Sequence, residues 1–163
     1  MRQHEPRPGG PVGPIELFES CGLLDPIELI RHFPGAPLAT SARRRWTGLE
    51  ALRYRFQPPN EAVQPPMTHH SLLLFLHAPE EFEARYEGIR RATPPPPGSV
   101  LMVPAGSPAR WRWSSHTDSL HVLLEPGLVE RVAAEAFELD PARVSLPRST
   151  AWTCRHCGPR CWR

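Results

Sequence analysis

From Leu52 onward polar and apolar positions alternate: Leu52, Tyr54 and Phe56 fall on one face, and Arg53, Arg55 and Gln57 on the other. That period of two predicts a half-buried strand with the first three residues inward. The prolines between Pro58 and Pro66 read as a turn segment, and the run Leu72, Leu73, Leu74, Phe75, Leu76 then has the length of a strand covered on both faces. Phe82, Ala84 and Tyr86 alternate with Glu83, Arg85 and Glu87, and Gly88 marks a turn before Ile89, which predicts a hairpin. The proline run Pro94 to Pro97 cannot donate ladder hydrogen bonds and reads as an exposed connection. Gly98 opens a strand from Ser99 to Val103, and the turn Pro104, Ala105, Gly106 closes it. In the next strand Trp111 and Trp113 share a face with Ala109 and alternate with Arg110 and Arg112. After a polar turn from Ser114 to Ser119, Leu120, Val122 and Leu124 share what reads as the inner face, which sets His121 outward as a surface histidine. Short strands at such regular spacing predict a sandwich or barrel.

The period then changes. Leu128, Val129, Val132, Ala133, Ala136 and Phe137 recur at spacings of three and four, with Glu130, Arg131 and Glu135 between them, the signature of an amphipathic helix. Its apolar stripe must pack back on the sheet or meet a second subunit, and Leu128, Val129, Val132 and Ala136 are the candidate dimerisation residues. Upstream, Asp25 can cap, Pro26 suits a first helical position and Glu28 completes a capping box, so a short helix is expected to about His32. The chain therefore divides into a Pro- and Gly-rich disordered arm (1–14), an extension with a short helix (15–43), a barrel (44–125), a helix with the start of a linker (126–146) and an atypical tail (147–163).

Composition narrows the class of molecule. A length of 163 residues suits one domain with a sizeable core. Charged residues make up 22% and the net charge is +2, so bulk electrostatics gives no pull toward nucleic acid or membrane. The run Leu72 to Leu76 is far short of a membrane span, and residues 1–14 lack the apolar centre of a signal peptide, so a cytoplasmic location is expected. Of 4 cysteines, Cys21 stands alone and Cys154, Cys157 and Cys161 crowd the end, which is not a secreted disulfide framework. The 22 prolines fit many short elements between turns. The cluster Arg43, Arg44, Arg45 reads as a solvated edge.

Two passages, Trp46-Thr47-Gly48-Leu49 and the stretch from Gly98 to Gly127, resemble the N-terminal domains of AraC-family transcription regulators. A strand ending in a Pro-x-Gly turn, a second strand, a leucine-rich strand and a helix follow in the family's order, and Asp140 to Val144 is similar to the family's link beyond that helix. The resemblance spans most of residues 44–146. It implies a mainly β fold, a cupin-like β-barrel (double-stranded β-helix) followed by a C-terminal amphipathic α-helix. It also implies a small-molecule effector inside the barrel and a homodimer formed through the helix. The family's paired helix-turn-helix units have no counterpart after Val144, so the chain reads as truncated before a DNA reader and is not expected to bind DNA alone. The alternative is a stand-alone cupin enzyme, an isomerase or dioxygenase relative, or another small-molecule-binding protein.

Candidate chemistry follows from these faces. Tyr54, Phe56, Phe75, Tyr86, Trp111 and Trp113 are the expected pocket residues, since aromatic faces both fill small barrels and line their pockets. His70 joins them at the mouth of a strand, and Arg85 or Arg110 would stand near the rim for an anionic effector. Cupins that hold a metal place a histidine in a second motif framed here by Gly98 and Pro104 to Gly106, but Ala109 stands at that position. His69 and His70 are adjacent and point to opposite faces, so neither a metal nor another cofactor is expected. No nucleophile with a base and no paired carboxylates occur at recognisable spacing, so no catalytic residue is expected and the chain reads as a binding module. Cys154, Cys157 and Cys161 with His156 form half of a zinc knuckle; the abrupt Trp, Cys and Arg composition there also fits a shifted reading frame or an unstructured tail.

Overall fold

The computed structural model describes residues 22–31, 33, 35–86, 88–144, 146 and 152–153. Among them ten strands and one α-helix form: β1 (Ala39–Thr40), β2 (Leu49–Gln57), β3 (Asn60–Gln64), β4 (His70–His77), β5 (Phe82–Tyr86), β6 (Ile89–Arg91), β7 (Ser99–Val103), β8 (Ala109–Trp113), β9 (Thr117–Leu124), α1 (Pro126–Phe137) and β10 (Trp152–Thr153). One sheet has the order β1-β2-β9-β4-β7-β10 and the other β3-β8-β5-β6, with every pairing antiparallel. The pairs β5·β6, β4·β7, β3·β8 and β2·β9 are nested one outside the next, as in a single long hairpin wrapped so that its segments fall in two sheets. This is the double-sheet jelly roll, the double-stranded β-helix of cupin domains.

The strand β3 lies where the prolines predicted a turn segment. Its inward residues are Ala62 and Gln64 and its outward ones Glu61 and Val63, so no apolar alternation announces it. Pairing with β8, from Asn60 opposite Trp113 to Gln64 opposite Ala109, makes the strand in spite of its composition. A second departure is local. The register of β2 on β9 shifts between Tyr54 and Gln57, and Phe56 sits at φ 53, a left-handed conformation rare for an aromatic residue. This bulge reverses the phase: Phe56 is 64% exposed and Gln57 is buried. The inward position expected for Phe56 is thereby corrected.

The third departure is the phase of β9. Thr117, Ser119, His121 and Leu123 are buried, whereas Leu120, Val122 and Leu124 are half-buried on the outer side. His121 is 2% exposed and so belongs to the core and not to the surface. The same outer face carries Leu72 and Leu74 of β4, while Ser71, Leu73 and Phe75 point in. Aliphatic side chains thus lie on both sides of this sheet, and aliphatic content alone does not reveal which side is the interior.

At the N-terminal end of the described chain, Pro26–Arg31 forms a 3-10 helix, and Leu24 bridges to Met67. Phe33 follows and joins the barrel core at 8% exposure. Pro126 occupies a first-turn position of α1, and Glu138, at φ 55, ends it. Only Ala133 of α1 is buried. No helix among the described residues is long and apolar enough to cross a membrane. The arm 1–14 and Cys154, Cys157 and Cys161 lie outside the described residues; of 147–163, Trp152–Thr153 pairs with β7.

Candidate functional site

The chemistry of the interior is set by the two phase reversals. The bulge is held by Asp118, whose Oδ1 accepts from the Phe56 N–H at 2.8 Å and whose Oδ2 meets the Arg53 guanidinium at 3.3 Å. Arg53 also donates to the carbonyls of Tyr54 and Ser119, tying β2 to β9. Gln57 is thereby turned inward opposite Thr117. The Ser119 hydroxyl donates to Gln57 Oε1 at 2.9 Å and lies 3.3 Å from His121 Nε2. The imidazole is packed edge-on against Phe33, with centroids 4.9 Å apart, and against Tyr54 at 5.3 Å. Burial pushes the His121 pKa down to about 4, so the ring is neutral near pH 7. Burial likewise pushes Tyr54 up to about 12, and the phenol keeps its proton.

Around this polar row stand aromatic walls. Phe82 packs on Phe75 at 5.1 Å and on Trp111 at 6.0 Å, and Tyr86 on Trp111 at 6.3 Å. A cavity of about 20 Å³ remains, lined by Phe33, Gln57, Leu73, Phe75, Pro79, Phe82, Trp111, Trp113, Thr117, Ser119 and His121. That is room for about one water molecule. Trp113 donates its indole N–H to the Pro58 carbonyl at 2.6 Å. Tyr54 Oη, Gln57 Nε2, Ser99 Oγ, Trp111 Nε1 and His121 Nδ1 are buried with no hydrogen-bond partner among the described residues. Leaving such a group unpaired costs roughly 1–3 kcal/mol.

Of the residues expected in the pocket, Phe75, Trp111 and Trp113 line the cavity, while Tyr54 and Tyr86 belong to the core cluster without lining it. Phe56 and His70 belong to neither. His70 lies on the opposite side of β4 from Leu73 and Phe75, and its Nδ1 accepts from the Ala105 N–H at 2.9 Å, securing the Pro104–Gly106 turn. Burial, then the neighbouring His69, lowers its pKa, against the opposing pull of Glu130. His69 meets Thr68 Oγ1 at 2.8 Å, and burial followed by Asp25 raises the pKa of nearby Glu50, opposed by His69. Arg85 and Arg110 stand on the outer face of the β3-β8-β5-β6 sheet, where Arg110 pairs with Glu61, and Arg85 and Arg90 both pair with Glu83. Hydrogen bonds from Arg90 and then Arg85 hold Glu83 down to about 2. A solvent-open groove of about 610 Å³ runs past Glu61, Glu83, Arg112 and Ser114 on that face. A rim position for these arginines is therefore corrected: they face away from the interior.

A cupin metal centre needs several inward imidazoles or carboxylates, and these residues do not fit one. Among the described residues His121 is the one buried histidine, Ala109 is buried at the position of the second-motif histidine, and no three His, Cys, Asp or Glu side chains of those residues converge. Phe33, Leu73, Pro79 and Phe82 on the apolar side, and Gln57, Thr117, Ser119 and His121 on the polar side, are the lining residues that sequence reasoning missed.

No family model matches the chain, and no curated protein matches it. Among solved structures it is similar to a cupin protein from Bacteroides fragilis at 12% identity, covering 55% of this chain and 78% of that chain with a TM-score of 0.43. It is similar to a Cupin 2 conserved barrel domain protein from Salinispora arenicola at 17% identity, covering 54% and 72% with a TM-score of 0.39. It is also similar to the AraC-like transcriptional activator CuxR at 17% identity, covering 53% of this chain and 32% of that one with a TM-score of 0.42.

Proposed function

We propose that the barrel interior binds a small-molecule effector and that the chain is the sensory and dimerisation module of an AraC-type transcription regulator. The observation that carries the binding role is the set of unpaired buried polar atoms inside an aromatic-walled barrel. A domain built only for stability gains nothing from holding Gln57, Trp111 and His121 unsatisfied at its centre. Binding, and not catalysis, is supported by the arrangement around Ser119. The Ser119 hydroxyl lies in the buried interior, and His121 Nδ1 has no acidic partner among the described residues to orient the ring as a base. The regulatory role is supported by the order of strands, turn and helix from Gly98 to Phe137 and by an α1 of which only Ala133 is buried.

The test is a thermal-shift screen of small neutral and anionic metabolites on the full chain, followed by sedimentation. A true effector raises stability by about 2.7 kcal/mol at a hundredfold excess over its Kd, and that gain disappears in His121→Phe. A hit whose shift survives His121→Phe would place binding elsewhere. Stoichiometric iron, manganese or zinc bound at His69, His70 or His121 in the purified protein would instead favour the stand-alone cupin enzyme.

A further inference from the structure

Three of the unpaired atoms, Gln57 Nε2, Trp111 Nε1 and His121 Nδ1, belong to residues that line the cavity. Their hydrogen-bonding roles follow from a count of hydrogens. The Ser119 hydroxyl carries one hydrogen and sits between Gln57 and His121. When it donates to Gln57 Oε1, it must accept from His121 Nε2–H; Gln57 then keeps a free donor and His121 Nδ1 a bare acceptor. With the Gln57 amide turned over, the chain runs the other way. Ser119 then donates to His121 Nε2, His121 Nδ1–H is the free donor and the Gln57 oxygen the free acceptor. Either direction leaves at least one donor and one acceptor on this pair, and the Trp111 indole adds a donor in both.

The surroundings restrict the ligand further. None of the residues lining the cavity is Asp, Glu, Lys or Arg, and the arginines of β5 and β8 face outward; Arg91 of β6, opposite Ala84 and with its Nε buried without a partner among the described residues, lies outside that lining. A carboxylate or phosphate in this cavity would be a buried charge with no cationic side chain among the lining residues. Five aromatic residues, Phe33, Phe75, Phe82, Trp111 and Trp113, make up the walls, a lining that suits a flat molecule.

We infer that the interior takes an uncharged, flat molecule whose edge carries a hydrogen-bond donor beside an acceptor, as a lactam or carboxamide edge does, with a further acceptor directed at Trp111. This rests on the effector-binding reading above and names the chemistry of that site. Phe33 and Pro79 are the cavity-lining residues outside the two sheets, and the Phe33 ring packs on His121. The ligand takes the space of that ring, because the cavity of about 20 Å³ admits little else.

The experiment uses the full chain and its Phe33→Ala variant, with 2-pyridone, benzoate and benzene as probes. Affinity is read by calorimetry, and the Trp111 indole resonance, assigned through Trp111→Phe, is followed by NMR. In Phe33→Ala, 2-pyridone is expected to bind about tenfold more tightly than benzene, the worth of roughly one buried hydrogen bond, and to shift the Trp111 indole signal. Adding His121→Phe should bring 2-pyridone down to the benzene level. Equal binding of 2-pyridone and benzene, or tightest binding of benzoate, would overturn the ligand class while leaving a pocket in place. No binding of any probe to a folded Phe33→Ala protein would overturn the pocket itself. If Phe33→Ala does not fold, Phe33→Leu with the same probes carries the same outcomes.

Discussion

His121 sits between the rings of Phe33 and Tyr54 at 2% exposure, and this placement links stability to pH. Its folded pKa of about 4 lies below the ordinary 6.5, so between those values the unfolded chain binds the proton and the native chain does not. Stability is fully present above about pH 6.5 and declines as pH falls toward 4, by on the order of 3 kcal/mol. Denaturant midpoints measured from pH 7 to pH 4 should show this decline, and His121→Gln, which does not titrate, should flatten it. His70, with a lowered pKa of its own, adds a slope of the same sign that both proteins share. Parallel curves would show that His121 is not buried as described. Phe56 gives the complementary test, because its left-handed conformation burdens the fold while its ring is 64% exposed. Phe56→Gly should leave the melting temperature unchanged or raise it, whereas Phe75→Ala should cost about 3–5 kcal/mol. A large loss in Phe56→Gly would restore the inward position that simple alternation gave it.

At the scale of elements, the alternation was legible wherever the interior is apolar. Phe82, Ala84 and Tyr86 of β5 and Ala109, Trp111 and Trp113 of β8 are all buried, as their spacing predicted. It failed where the interior is polar. On β9 Leu120, Val122 and Leu124 face outward and Ser119, His121 and Leu123 inward, so the rule that apolar means inside selected the wrong face. On β3 the inward Gln64 left no pattern to detect, and on β2 a one-residue bulge, invisible to periodicity, replaced Phe56 with Gln57. The polar site residues missed by sequence reasoning come from these places, and Phe33 comes from the N-terminal segment, whose packing only the folded chain reveals. The helix, in contrast, was read nearly to its ends, and its termination offers a test. Glu138 adopts φ 55, ψ 29, and the N–H groups of Glu138 and Leu139 both close on the Ala133 carbonyl. Glycine reaches this conformation without strain, so Glu138→Gly should raise stability by about 1 kcal/mol in denaturant unfolding. A loss would mean that the helix does not end there.

At the scale of the molecule, apolar surface is left over on one side. Val132 is 44% exposed, Phe137 68% and Leu139 55%, all in or just beyond α1. Leu72, Leu74, Leu120, Val122 and Leu124 on the outer face of the β4·β9 pair are only half-buried. The helix meets this sheet near the start of β2, where a side chain at Gly48 would come within 3.1 Å of Leu128. Leu128 and Val129 are therefore partly covered by the chain itself, and Val132 and Ala136 are left open. A second copy placed with its own α1 against this stripe would cover it through a two-fold interface. Val132, mid-helix, would lie near the axis of such a pair and meet its own counterpart. Val132→Glu would then set two carboxylates against each other in an apolar contact while leaving an already exposed position harmless to the monomer. Sedimentation equilibrium should show self-association of the wild-type chain at about 10 µM and monomer for Val132→Glu, with unchanged melting of the β-barrel. Wild-type monomer at that concentration, or a dimer that survives Val132→Glu, would show that α1 does not pair two copies of this chain.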